Sequence, residues 1–332
     1  MSKSWKSALT EALDAWDKRH MVISPDIDGL VSAALLRRKY KNAKVCAFYA
    51  TRHLLIGDGY TPKDCKSAMW VDQDIVHPDI VCLGQHLILH DKDDVIVRRN
   101  SDSFNPNVHF RQSSKDSFRG VSMRSGGRDK YPFGTCHYLL HLDSSGGPYS
   151  PEEKALLAHA DGSFASTYRY RHNCETWLDS MFEDSVFMKF LVKKYLTDKG
   201  TPSDERRFCH HQNLVEDLKG AGINRGKGQT SGGPLPGRWG ELAGCQSVRF
   251  AENHRFETFT GKIHSVADCL RTISRFDVGE LPQQISDLLS GEVASRFPEQ
   301  VGGDFNEYVE AEDMFSLAFT SSKEFRCTKK FF

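Results

Sequence analysis

Four aspartates stand where short apolar runs end. Asp26 and Asp28 follow "MVIS", Asp72 closes "AMWVD", and Asp161 follows "LLAHA". In extended backbone, residues two apart point the same way, so Asp26 and Asp28 would present two like charges side by side. Such a pair raises one pKa unless a cation sits between them. Oxygen ligands suit Mg²⁺ or Mn²⁺ better than zinc, which makes Asp26, Asp28, Asp72 and Asp161 candidate ligands for one or two such ions. The dipeptide Asp28-Gly29, taken alone, reads as a turn in which Asp28 caps the next helix. Asp161 ends a helical pattern, where the helix dipole disfavours a carboxylate by about 0.3–1 kcal/mol. A metal would offset that. His86 and His90 flank "LIL" just after another apolar run. Carboxylates and a histidine converging from separate strand ends form the kind of centre in which two metals transfer a phosphoryl group.

Other polar groups bear on the same chemistry. Arg52 and His53 follow the second apolar run and read as a phosphate clamp or as a solvated pair. Arg225, Lys227 and Arg238 lie in a glycine-rich loop whose amides could approach phosphates, or which is simply solvated. Cys209, His210 and His211 are adjacent, and adjacent side chains cannot all reach one tetrahedral ion.

These residues need a scaffold that brings strand ends together. "MVIS", "KVCAFYA", "AMWVD" and "DIVCLG" are β-rich runs, and "HLILH" continues the last or begins another. Between the first two, Leu30, Ala33, Ala34 and Tyr40 follow helical spacing, as a crossover packed on a sheet would. That alternation predicts a parallel α/β layout, in which ligands bind beyond the carboxyl ends of the strands. A helix is expected from Gly134 to His141. Another opens at Ser150 as N-cap, with Pro151 at its first position and Glu153 completing a capping box. The start of the chain reads as an amphipathic helix. Past Arg171 come a helical stretch, a polar link, a glycine- and proline-rich segment, and strand-like "MFSLAFTSS" and "EFRCTKKF". The expected architecture is an α/β domain over 1–172, a parallel open sheet with flanking helices. A helical linker over 173–205 and a smaller α+β substrate-binding or cap domain over 206–332 follow.

Composition limits the partners. Within 332 residues, 44 Lys and Arg balance 44 Asp and Glu, so a polyanion must be met by a local site and not by a global basic field. Nine cysteines without a CxxC pair fit reduced thiols of a cytoplasmic protein. No apolar run spans a bilayer, so no membrane partner is expected.

Taken in order, the motifs resemble those of the DHH phosphoesterase superfamily, which includes RecJ-type exonucleases, nanoRNases and family II pyrophosphatases. "SPDIDGLVSAALL" is similar to its opening motif, "WVDQD" to the second, "KYPFGTCHYLLHL" to its threonine-bearing helix start, and "AHADG" to the fourth. The resemblance covers the first half of the chain. It implies a metal-dependent phosphoesterase holding one or two Mn²⁺ or Mg²⁺ ions on Asp26, Asp28, Asp72 and Asp161, with Asp72 bridging. A metal-bound hydroxide would attack phosphorus. Asp28, Asp72 and His86 would form the catalytic set, with His86 meeting a phosphate oxygen or the leaving group. Arg52, His53, His86 and Arg238 would contact the substrate, a nucleotide or short single-stranded nucleic acid. The chain departs from the pattern where Asp-His-His should stand. It has Gly84, Gln85 and His86 there, with His90 and Asp91 as a second alignment, and Ser24 and Val22 where some branches have a further ligand. The run "TSGGPLPGRWGELAG" lacks the Gly-Gly-His core of the family's second domain. These departures fit an alternative, a catalytically weakened nucleotide-binding or regulatory module, as a homo-oligomer or a subunit of a larger complex.

Overall fold

A computed structural model describes residues 5–50, 52–87, 103–109, 130–143, 148–163, 171–182, 185, 188, 256–296, 305–319, 325–329 and 331–332. Helix α1 (Trp5–Asp14) precedes β1 (His20–Ile23), α2 (Ile27–Lys39), β2 (Lys44–Ala50), β3 (His53–Gly57), α3 (Pro62–Lys66), β4 (Met69–Val71), β5 (Cys82–Leu83) and the single turn α4 (Pro106–His109). Next, α5 (Thr135–Leu139) and α6 (Pro151–His159) each run into a 3-10 turn, at Leu140–Leu142 and Ala160–Gly162. There follow α7 (Arg171–Met181), α8 (Phe256–Ile273), β6 (Ile285–Ser290), β7 (Glu292–Arg296), α9 (Phe305–Ala311), β8 (Met314–Phe319) and β9 (Phe325–Lys329).

The chain forms two compact units that interleave along the sequence. One comprises Met1–Ile23, Val45–Tyr131 and Ser286–Phe332, the other Ser24–Lys44 and Pro132–Ile285. The first holds a six-stranded sheet of order β5-β4-β1-β2-β3-β6 and a three-stranded sheet of order β7-β9-β8. Parallel pairing joins β1 to β4, with Val22 opposite Trp70, and β4 to β5, with Val71 opposite Leu83. The small sheet is antiparallel. The mixed α/β class and its parallel strands are those expected from the alternating apolar runs. Two features differ. Antiparallel β3 turns back at Arg52 onto β2, and the late strand β6 adds to the same sheet as β1, so the compact units do not follow the expected division at 172. Pairing between strands so distant in sequence leaves no local period to read.

The core of this unit is aromatic. Trp70 is fully buried, 5.3 Å between ring centroids from Tyr49 and 5.1 Å from Phe315, which stacks on Phe331 at 4.6 Å. Buried rings of this size each contribute about 1.5–3 kcal/mol, with about 0.5–1.5 more per well-placed pair. The Tyr49 hydroxyl meets Ser316 Oγ at 3.1 Å and donates to Thr328 Oγ1 at 3.0 Å, joining β2 to β8 and β9. Burial pushes its pKa up to about 12.

In the second unit α2 is buried from Ile27 through Leu36, wider than the four-residue stripe expected, because α5, α6 and both 3-10 turns pack around it. The box that opens α6 forms as expected: Ser150 Oγ accepts from Glu153 N, and Glu153 accepts from Ser150 N. Glu153, whose side chain is 3% exposed, also takes Arg275 Nε at 2.7 Å. Arg38 meets Asp143 at 2.8 Å, and the Tyr149 hydroxyl donates to the same carboxylate. The described cysteines are free thiols. Among the described residues no helix is long and apolar enough to cross a membrane.

Candidate functional site

The paired aspartates of "SPDIDG" do different work. Asp26 is the N-cap of α2, its side chain accepting from Gly29 N at 2.8 Å. Asp28 already lies inside the first helical turn, so the extended geometry that would aim both carboxylates alike is absent. Helix formation starts at once because Asp26 supplies the cap. The helix expected to be capped by Asp28 is thus capped by Asp26. Asp28, 2% exposed, caps a different helix: its carboxylate accepts from Thr135 N at 2.8 Å and Cys136 N at 2.7 Å, at the start of α5. Gly134 makes that approach possible, since a Cβ there would clash with the Asp28 carboxylate.

His137 completes the same helix start. Gly134 N donates to its Nδ1 at 2.9 Å, and its Nε2 donates to Leu157 O at 2.8 Å. The ring is therefore a neutral Nε2–H tautomer. Burial holds its pKa below the ordinary histidine value, against the pull of Asp28. Asp161, exposed, follows α6 in left-handed backbone at φ 48°.

In the first unit β1, β4 and β5 run parallel side by side, so β4 and β5 deliver the residues after them to one edge of the sheet. Asp72 leaves β4 half-buried, at φ 60°. Two residues on, the buried Asp74, which the sequence did not single out, gathers a polar cluster that includes His86. Its Oδ1 accepts from Asn105 Nδ2 at 2.7 Å and its Oδ2 from His86 N at 2.6 Å. Burial pushes the Asp74 carboxyl up, while these donors and the Lys130 charge act the other way. Asn107 donates to Gln85 O at 2.8 Å and Leu87 O at 3.1 Å, and accepts from Tyr131 N at 2.6 Å. Lys130 Nζ lies 3.0 Å from His86 Nδ1, and Gln85 Nε2 lies 3.3 Å from His86 Nε2. Burial, then the Lys130 charge, hold the His86 pKa well below its ordinary value. The turn-rich "SFNPN" was the available signal for Asn105 and Asn107. Nothing local marked Lys130.

A Cβ at Gly84 would clash with the Asp74 carboxylate and the Gln73 carbonyl, so no aspartate fits there.

His53 opens β3, buried, facing Ser290 Oγ at 2.9 Å through Nδ1 and accepting from Arg52 Nε at 3.1 Å. Arg52 is exposed. His90, Asp91, Cys209, His210, His211, Arg225, Lys227 and Arg238 lie outside the described residues.

Among the described residues, no group of three or more His, Cys, Asp or Glu is assembled to hold a metal ion. The groups that follow β5 do not gather around one either: a Cβ at position 84 would clash with Asp74 and Gln73, and His86 Nδ1 faces the Lys130 ammonium. No family model, curated protein or solved structure matches the chain.

Proposed function

We propose that this chain recognises the phosphate groups of nucleotides or short single-stranded nucleic acids on a DHH-type scaffold whose metal-binding part is weakened. The carrying observation is at the exit of β5. Where the resemblance calls for Asp-His-His, Gly84 packs against Asp74, Gln85 carries an amide, and the His86 ring faces Lys130. Parallel strand ends are the usual ligand edge of an α/β sheet. At the exits of β4 and β5 the Asp74 cluster includes the Lys130 ammonium beside the His86 ring, a charge of the sign that meets an anion.

The test is equilibrium binding of a short 5′-phosphorylated oligothymidylate and of a nucleoside diphosphate, in EDTA and in Mn²⁺, with product release followed by chromatography. Binding in both media without turnover supports recognition. Absence of binding in either medium removes it.

One observation favours a second reading, hydrolysis of a phosphodiester with Mn²⁺ or Mg²⁺. Asp72 and Asp161 both hold left-handed backbone, and such strain gathers at functional sites. Manganese-dependent product release in the same assay would put hydrolysis first.

A further inference from the structure

We infer that Cys46 and Cys65 are a redox pair of the first unit, reduced in the resting chain and closed to a disulfide when Cys65 meets a hydroperoxide. The pair lies in a part of the fold that phosphoester recognition does not use.

Two thiols from different elements meet beside β1. Cys46, on β2, donates its Sγ–H to Met21 O of β1 at 3.2 Å, and β1 and β2 are neighbours in the sheet. Cys65 is carried to the same strand because α3 packs against β1. Its carbonyl accepts from Trp70 Nε1 at 2.9 Å, which sets it over the aromatic core. Both residues are fully buried in one apolar cluster with Val22 and Trp70. The Cys65 thiol, and after it burial, pushes the Cys46 thiol well above its ordinary value, so Cys46 keeps its proton. Cys82, in the same cluster, is taken up instead by the backbone of Ile75, donating to O at 3.6 Å and accepting from N at 3.4 Å.

The two sulfurs differ in how an oxidant reaches them. Strand β2 lies between β1 and β3, whereas α3 is a short surface helix in which Cys65 is the one buried residue, beside exposed Thr61, Lys63 and Ser67. Surface turns with little buried area open far more often than central strands, so opening presents Cys65. Lys63 and Lys66 flank it, and neighbouring cations favour the nucleophilic thiolate. Cys65 Sγ attacks one peroxide oxygen and the O–O bond breaks. The leaving alkoxide takes the Cys65 proton and departs as an alcohol, and Cys65 becomes a sulfenic acid. When the helix closes again, Cys46 Sγ attacks the Cys65 sulfur, the S–O bond breaks, and the hydroxide takes the Cys46 proton and leaves as water. The two sulfurs together lose two electrons and the hydroperoxide gains them. The new bond ties α3 to β2 and holds it shut.

The test treats the reduced chain with hydrogen peroxide in native buffer, alkylates it in denaturant and maps the peptides by mass spectrometry. Peptides joined through Cys46 and Cys65 should appear, separate again with dithiothreitol, and be absent from Cys65→Ser. In Cys46→Ser, Cys65 should stop at the sulfenic acid and be trapped by dimedone. Hydrogen exchange of the α3 amides should slow by about tenfold or more in the oxidised wild type, because the cross-link suppresses opening. If peroxide leaves Cys46 and Cys65 both open to alkylation, or joins Cys65 to another cysteine, the assignment is overturned. A cross-link that forms only in urea overturns it as well. Where a serine variant does not fold, the wild-type peptide map decides alone.

Discussion

Replacing Asp28 by asparagine should destabilise the second unit in the complete absence of metal. In the native chain both carboxylate oxygens take backbone donors of α5, from Thr135 at 2.8 Å and Cys136 at 2.7 Å, at a buried position. An asparagine keeps one acceptor and turns an NH₂ group toward the other N–H. The change removes one hydrogen bond to a charged group, worth about 1.5–3 kcal/mol, and leaves a buried donor unsatisfied, at about 1–3 kcal/mol. Relaxation recovers part of the sum, so a loss of about 3 kcal/mol is expected, a large share of the roughly 5–15 kcal/mol that holds a domain folded. A chain of two units need not melt in one step, so the effect is best read locally. Hydrogen exchange on peptides covering Thr135 and Cys136, in EDTA, should show protection falling by about a hundredfold, the equivalent of roughly 3 kcal/mol. A conservative ligand change at a metal site would behave differently, leaving the metal-free protein as protected as the wild type and lowering only its response to Mn²⁺. That second outcome would refute the capping role of Asp28.

Asn107→Ala removes three hydrogen bonds and strands Tyr131 N with two carbonyls, so the first unit should lose about 2–5 kcal/mol; urea denaturation that leaves the midpoint unchanged would contradict this. The depressed His86 and His137 values mean that the folded chain binds fewer protons than the unfolded chain once pH falls below the ordinary 6.5. Stability should therefore be level above that value and decline below it, and a urea midpoint constant from about pH 7.5 to about 5.5 would show the sign to be wrong. Gln85→His alone should not create manganese-dependent release of nucleotide, because Lys130 and the filled space at Gly84 remain; a gain would favour hydrolysis. An ion bound at a hundredfold excess over its Kd would add about 2.7 kcal/mol, and weakened metal binding predicts no rise of that size in the wild-type melting temperature with millimolar Mn²⁺.

The sequence alone determined the features that depend on near neighbours. Apolar runs of four to seven residues mark β1 and β2, and capping chemistry opens α6 at Ser150, Pro151 and Glu153, because each signal lies within one turn of the element it specifies. It also placed polar residues at the strand exits, since an α/β alternation fixes where strands end. It could not assign partners to them. Asp26 and Asp28 look alike in "SPDIDG", yet one closes its own helix and the other a helix more than a hundred residues away. Asp74, Asn105, Asn107 and Lys130 are separate polar residues in the sequence and one connected cluster in the fold. Only tertiary structure decided these pairings, because a buried carboxylate or amide takes whichever donors packing brings to it, and such contacts between distant segments have no period and no fixed spacing for a sequence to display.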